Sequence, residues 1–458
     1  MPPATSNPPE TASASPAAVL HADVAVIGGG VIGHAIAWEA RRSGRSVVLI
    51  DDAPGNGASW AAAGMLAPVS ELHYQEEDLL ELMLASSGLW PAFAADLALA
   101  GAGETGYLTT PTLAIGADAA DRRALMDLRA VQQASGLVVE PLTVRAARTR
   151  ESLLSPAISC ALDIPADHQV DPRKLVACLQ EVLAVHEPGA GTAVAGARGG
   201  FAVDQRAAAL LWEDGRVSGV KLAHGGTVQA RETIVANGLQ AASLDGLPEG
   251  LQLPLRPVYG DILRLAVPQH LRPLLTSTVR GMVHGVPVYI VPRQDGTVVI
   301  GATQREDALA GTGDGAVSAG GVYQLLRDAQ VLVPAVSELE LLECTARARP
   351  ATPDNAPLLG RVPVRAAGTG SGHSTGNIAG LIVATGFFRH GVLLAPAAAA
   401  ICRDLLDGRT DPRWGALSPA RFSEKHQVAG TEHGPAGAPS PPKDISSMKD
   451  LDPQKETA

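Results

Sequence analysis

The segment 24-VAVIGGGVIGHAIAWEA-40 constrains this chain more tightly than any other. Asp23 to Gly28 is a short apolar run rich in β-branched residues. Val31 to Ser43 has helical composition, with Arg41 and Arg42 in its last turn and Gly44 placed to end it. Between them, Gly28, Gly30 and Gly33 spell GxGxxG. A strand that turns through such glycines into a helix opens a dinucleotide-binding fold. The first glycine permits the tight turn, the second lets backbone approach a pyrophosphate, and the third lets helix and strand pack closely. The helix start offers free N–H groups and a positive dipole end to phosphate. Ser46 to Asp51 reads as a second strand, its apolar residues Val47 to Ile50 continuous rather than alternating, as parallel sheets prefer. Asp51 ends it roughly 20 residues beyond the motif, where an acid accepts from ribose hydroxyls. Such an acid repels the 2′-phosphate of NADP, but the turn alone does not choose between NAD and FAD.

Downstream, 55-GNGASWAAAGMLAP-68 is a loop of small residues. Glu76 to Leu99 reads as a helix in which Pro91 is the one candidate for a break, and Arg173 to Val185 as another. Val217 to Ala223 and Thr233 to Ala236 read as strands. The stretches 189-GAGTAVAGARGG-200 and 367-AGTGSGHSTGN-377 read as loose surface insertions. Between residues 250 and 345 the texture changes. Here 255-LRPVYGDILRL-265 and 286-VPVYIVPRQDGTVVIGAT-303 are β-rich, and Asp295-Gly296 suits a hairpin turn, so an antiparallel sheet is expected. The segment 381-LIVATGFFRHGVLLAPAAAAICRDLLDG-408 then returns to strand, loop and helix, which makes the first unit discontinuous in sequence.

Composition narrows the partners. The net charge of -11 works against a nucleic-acid backbone, which needs basic clusters. Cys160, Cys178, Cys344 and Cys402 lie far apart, in neither a disulfide framework nor a metal-ligand pattern, and fit a reducing compartment. Residues 1–20 lack the basic and apolar regions of a secretory signal and read as a disordered leader, and 423–458 as a disordered tail. No run of about 18 apolar residues is evident, so a cytoplasmic protein without a membrane span is expected.

Four segments carry a more specific likeness: 58-ASWAAAGMLAP-68, 287-PVYIVPRQDGTVVIGAT-303, 349-RPATPDNAPLLG-360 and 384-ATGFFRHGVLLAP-396. Through them the chain resembles the D-amino-acid-oxidase-like family of FAD-dependent oxidoreductases, and within it the glycine oxidases of thiamine biosynthesis. The likeness implies an α/β fold with a Rossmann-like FAD-binding domain assembled from 21–105, 165–248 and 346–415. An α+β substrate domain with an antiparallel sheet would take 106–164 and 249–345. It implies non-covalent FAD, with contacts from Gly28, Gly30, Val31, Ile32, Gly33, Asp51, Asp52, Ser59, Ala63, Gly64 and Met65. Phe387, Phe388, Arg389, His390, Gly391, Val392 and Leu393 would complete the set. The physical reading agrees, because small residues at 61–64 let backbone pass close to a flat ring. A helix start after Gly391 could face the flavin C2 carbonyl, where charge grows on reduction.

The implied chemistry is oxidation of glycine or another small amino acid or amine. Hydride passes from Cα to flavin N5, and molecular oxygen becomes hydrogen peroxide. Such a site needs a carboxylate clamp and an apolar pocket more than it needs acid–base groups. Arg349 matches the family's carboxylate-binding arginine, Arg389 a second arginine near substrate and flavin, and Tyr289 a pocket tyrosine. Arg347 would share a strand face with Arg349, so register does not separate the two. His390 and His34 read as packing or loop residues. Two departures stand out: Thr345-Ala346-Arg347-Ala348 replaces a common Trp-Ala-Gly-Leu, and Asn237 replaces a small residue. Cys344 lies where sarcosine oxidases attach flavin covalently, but the glycine oxidases are the better match. The alternatives are a D-amino acid dehydrogenase with another electron acceptor, a flavin module related to tRNA modification, and a catalytically silent flavin protein. Assembly into a homo-oligomer is open.

Overall fold

The computed structural model describes residues 18–72, 76–185, 191–306, 315–364 and 376–423. Residues 1–17 of the leader, the tail from 424 and most of the 367–377 insertion lie outside the described residues, whereas Val19 and Leu20, expected in the leader, open the first strand, and Ser423, expected in the tail, is buried and accepts from the Gln252 N–H at 2.9 Å.

The expected strand, turn and helix form at Val19–Ile27 and Val31–Arg42, and the chain leaves the helix through Gly44 at φ +85°. The first strand lies in an eight-stranded sheet between Val47–Ile50 and Thr227–Val235, both parallel to it. Asn377–Thr385 adds a fourth parallel strand beside Thr227–Val235. The register aligns Ile50, Ile27, Val235 and Val383, so three strands end level and the fourth runs on two residues to Thr385. In doubly wound sheets the ligand crevice lies outside such carboxyl ends. Alternation sorts the side chains. Val24, Val26 and Leu49 face a core shared with the helices Val31–Arg42, Glu77–Leu99, Pro172–Ala184 and Ala395–Leu406. Ala25, Ile27 and Val48 face a second core, covered by the strands Ala207–Glu213 and Arg216–Leu222.

Three local expectations change. The Glu77–Leu99 helix runs through Pro91 unbroken. Trp90, Phe93 and Leu97 are buried on its inner side, and that packing outweighs the ~3 kcal/mol cost of an interior proline. Residues Leu79–Leu99 are also long and apolar enough to cross a membrane, contrary to the expectation of no such run. Its buried side belongs to the core just described. In the 189–200 stretch, Gly191 donates to the Arg41 carbonyl at 3.0 Å and Val194 is buried, so this part is tied down.

The second sheet, also eight-stranded, starts from Glu340–Ala351 and Arg256–Ala266. It continues through Thr297–Gly301, Val286–Pro292 and Thr278–Val283 to Thr112–Gly116, Cys160–Ile164 and Glu140–Leu142. It is antiparallel except where Thr278–Val283 meets Thr112–Gly116, which pair in parallel. The Asp295-Gly296 turn closes the expected hairpin, with Gly296 at φ +84° and the Thr297 N–H on Asp295 Oδ1 at 2.9 Å. Glu340–Ala351 pairs with Arg256–Ala266 as far as Ala351. Residues 346–351, assigned above to the first unit, therefore lie in the second sheet, because the ladder runs past 346. One face of this sheet packs on the Ala319–Leu332 helix. The other presents Ile262, Val291 and Val299 to Ala61 and Ala63 of the small-residue loop.

Candidate functional site

A cleft of about 660 Å³ runs from the glycine turn to the second sheet. Every expected cofactor residue borders it except Gly33. Gly33 instead packs against the turn, where an added Cβ would lie 1.8 Å from the Gly28 carbonyl oxygen. Gly28, at φ +108°, has the same need, because a Cβ there would meet the Ala236 carbonyl at 2.5 Å. The Asp51 carboxylate accepts from the N–H groups of Gly29 at 2.6 Å and Ala53 at 2.7 Å, which holds the turn to the second strand. Ser59 accepts from the Val31 N–H at 2.9 Å. Asp52 pairs with exposed Arg206. His34 is fully buried and its Nδ1 bonds the Gly30 carbonyl at 3.0 Å, so it is a packing residue. Burial lowers its pKa.

Two places in the cleft wall carry buried backbone donors without partners among the described residues. One is the loop at Ala63 and Gly64; the other is Val392 and Leu393, just before the Ala395–Leu406 helix. Backbone N–H groups seek partners, and these four border the cleft with none from the protein among the described residues. Donors on both walls of one crevice suit a flat ligand with acceptors on its edges. Ser86 Oγ and Trp90 Nε1 fix the second wall by donating to the Leu393 carbonyl at 2.7 and 2.9 Å. The first wall needs Gly64, at φ +75°, where a Cβ would lie 2.0 Å from the Val170 carbonyl. These features fit FAD.

The sheet face turned to the cleft holds the expected substrate residues. Tyr289 stands opposite Gly301, and a Cβ on that glycine would lie 2.3 Å from the phenol oxygen. Arg349 lies across Gly260, where a Cβ would be 2.2 Å from its Nη2. Two glycines thus clear the lanes for two long polar side chains. Burial pushes the Tyr289 phenol up to about 12 despite the opposing pull of Arg349, so it remains a donor at neutral pH. Among the described residues, no carboxylate lies within ion-pair distance of Arg349. Arg347 is differently placed: its guanidinium donates to the Asn56 carbonyl at 3.0 Å and the Ala346 carbonyl at 2.8 Å. Structure therefore separates two arginines that register could not. Cys344 is paired with Leu263, on the face turned away from the cleft.

Arg389 borders the cleft but its charge is taken. Its Nε lies 3.1 Å from Glu71, and Nη2 meets Glu76. Arg280, the cross-strand partner of Tyr289, also meets Glu71. Burial raises the Glu71 pKa, but Arg280 and Arg389 outweigh it, with a smaller contribution from His390, and hold the carboxyl well below the usual range. Sequence reading missed Glu71, Arg280 and Glu76. The only hint was an acid three residues past the end of the small-residue loop. The cluster neutralises itself and leaves Arg349 as the cation available to an anionic ligand.

Comparison with known proteins gives a consistent picture. The family model "FAD dependent oxidoreductase" (DAO) matches residues 23–405. Glycine oxidase of Geobacillus kaustophilus is 33% identical over 387 residues, covering 84% of this chain and 93% of that protein. The bifunctional protein ThiO/ThiG of Trichormus variabilis is 30% identical over 408 residues, and there the match spans 88% of this chain but only 55% of the relative. Among solved structures, glycine oxidase from Geobacillus kaustophilus superposes with a TM-score of 0.73 at 30% identity, covering 88% of this chain and 99% of that one.

Proposed function

The chain belongs to the DAO family of FAD-dependent oxidoreductases, and on that premise we propose that it oxidises glycine, or a similarly small amino acid, to the imine. The observation that carries the reading is Arg349, unpaired among the described residues and laid over Gly260 in the same cleft as the Tyr289 hydroxyl. An arginine fork pairs both oxygens of a carboxylate, and the neutral phenol adds a donor. Held there, a small amino acid directs its Cα toward the Ala61–Met65 loop and the flavin beside it. FAD when bound supplies the two-electron acceptor for hydride leaving Cα, and oxygen then regenerates it with release of hydrogen peroxide. For glycine the balance is glycine, water and oxygen to glyoxylate, ammonia and peroxide.

Glu71, Arg280 and Arg389 satisfy one another and Arg347 is spent on the Asn56 and Ala346 carbonyls, so Arg349 is the arginine of that wall left for a carboxylate, which favours a monocarboxylate. The apolar contacts of Ile262, Val291 and Ala63 keep water from the reacting face. The similarity to ThiO/ThiG supports a role for the imine in forming the thiazole of thiamine. Four free cysteines support a reducing, cytoplasmic setting.

The test is an anaerobic absorbance titration of the FAD-loaded protein. Glycine should bleach the oxidised flavin band, and air should restore it with stoichiometric peroxide. If glycine, sarcosine and D-alanine all leave the band unchanged, the proposal fails. Bleaching without peroxide on re-aeration would move it to a dehydrogenase.

A further inference from the structure

Two buried arginines of the second sheet reach across to the backbone of the small-residue loop. Arg264, in the Arg256–Ala266 strand, donates through Nη2 to the carbonyls of Trp60 at 3.2 Å and Ala62 at 3.5 Å. Arg293, just after Val286–Pro292, donates through Nη2 to the Ala63 carbonyl at 2.5 Å. Its Nη1 donates to the Val170 carbonyl at 2.9 Å and to Gln169 Oε1 at 3.2 Å. Acids reach the two cations only from a distance, Asp171 acting on both and Glu343 on Arg264. The nearest acid to Arg293 is Asp171 at 3.9 Å, and Arg264 has no ion pair among the described residues. Burial lowers the pKa of both, that of Arg293 to about 10, and a guanidinium keeps its proton in proteins at neutral pH. Buried cations without close counter-ions are costly, and carbonyl dipoles are what these two receive in exchange for water.

Peptide geometry gives those bonds a consequence on the other side of the loop. In a trans peptide the C=O and the following N–H point in opposite directions. Drawing the Ala62 carbonyl toward Arg264 turns the Ala63 N–H the other way. Drawing the Ala63 carbonyl toward Arg293 does the same for the Gly64 N–H. These are the two buried donors that have no partner among the described residues and border the cleft.

We infer that Arg264 and Arg293 are positioning residues for the flavin, which hold the Ala62 and Ala63 carbonyls back so that the Ala63 and Gly64 N–H groups meet an acceptor edge of the isoalloxazine ring. Their charge, one peptide unit behind those donors, also favours the more electron-rich reduced form. The inference rests on FAD binding by the family and is independent of which amine is oxidised.

The experiment uses the full chain with Arg264→Met and Arg293→Met, stripped of FAD and titrated with it, followed by dye-equilibrated reductive titration without any amine. Each variant should bind oxidised FAD about tenfold more weakly and reduced FAD about a hundredfold more weakly. That tenfold difference lowers the two-electron midpoint by ~30 mV. Arg293→Lys, which keeps the charge and one donor, should fall between Met and the parent. It also serves where a Met variant does not fold. An unchanged FAD dissociation constant and midpoint, with only the melting temperature lowered, would overturn the inference. Failure of glycine to reduce the flavin would not touch it.

Discussion

Replacing Arg349 with Ala offers the sharpest test of the carboxylate clamp. The substitution removes a two-pronged, charge-assisted contact and leaves the substrate carboxylate facing a wall whose other cations are taken by Glu71 and Glu76. Truncating one partner of a hydrogen-bonded charge pair costs about 2–5 kcal/mol when the pair is buried. Arg349 is half-buried, so the lower part of that range applies. About 3 kcal/mol corresponds to roughly a hundredfold in affinity. Stopped-flow reduction of the flavin under anaerobic conditions should show the glycine dissociation constant raised by that factor. Reduction by methylamine, which has no carboxylate, should proceed at the same rate in parent and variant. Arg347→Ala should change the glycine constant by less than about threefold, because its guanidinium is spent on the Asn56 and Ala346 carbonyls. The reverse outcome, a normal constant in Arg349→Ala and a large loss in Arg347→Ala, would refute the assignment.

Tyr289→Phe deletes one neutral donor to a charged group, so glycine affinity should fall by about 1.5–3 kcal/mol, some tenfold to a hundredfold, with the flavin spectrum unchanged. Because the phenol is pushed up to about 12, the parent enzyme should show no limb in glycine affinity from this group below about pH 11; a limb near pH 10 that disappears in Tyr289→Phe would contradict that. Gly64→Ala drives a Cβ toward the Val170 carbonyl at a positive φ and should cost at least about 1–3 kcal/mol of stability together with FAD affinity; a variant that melts and loads like the parent would argue against the tight loop. Burial holds His34 neutral with its pKa below 6.5, so the unfolded chain binds the extra proton. Its contribution is present above about pH 6.5 and is lost at up to ~1.4 kcal/mol per pH unit on acidification. Glu71, also depressed, loses its contribution only below about pH 4.5. Urea midpoints between pH 8 and 5 should therefore fall less steeply in His34→Leu than in the parent, and parallel curves would sink this reading.

The turn from Val19–Ile27 into Val31–Arg42 was legible because its chemistry is local: three glycines, one acid and a helix start within one stretch of chain. The second sheet was legible as a run of β-branched residues around a hairpin, but the parallel partner of Thr278–Val283 was not. Its neighbour Thr112–Gly116 lies far away in sequence, and nothing local selects it. The same holds for the ion pairs. Arg389 and Glu76 are 313 residues apart, so neither announces the other. Arg347 and Arg349 share a face, and what separates them is an empty lane at Gly260 and a carbonyl at Asn56, both properties of packing. Arg264 and Arg293 look in the sequence like ordinary strand arginines, because a backbone carbonyl as partner leaves no residue-type signal.

The aligned ends of Val47–Ile50, Val19–Ile27, Thr227–Val235 and Asn377–Thr385 also bear on how the protein is made. On the ribosome, the glycine turn emerges well before its partners: the strand that borders it at Val235 follows some two hundred residues later and the wall at Val392 and Leu393 later still. Contacts of such sequence separation make folding slow and postpone closure of the crevice. Cofactor loading is thus a late event, after nearly all the described chain has been synthesised. Until then a nascent chain carries an incomplete parallel sheet with open edges, and binding of FAD to the finished fold alone draws the equilibrium toward it.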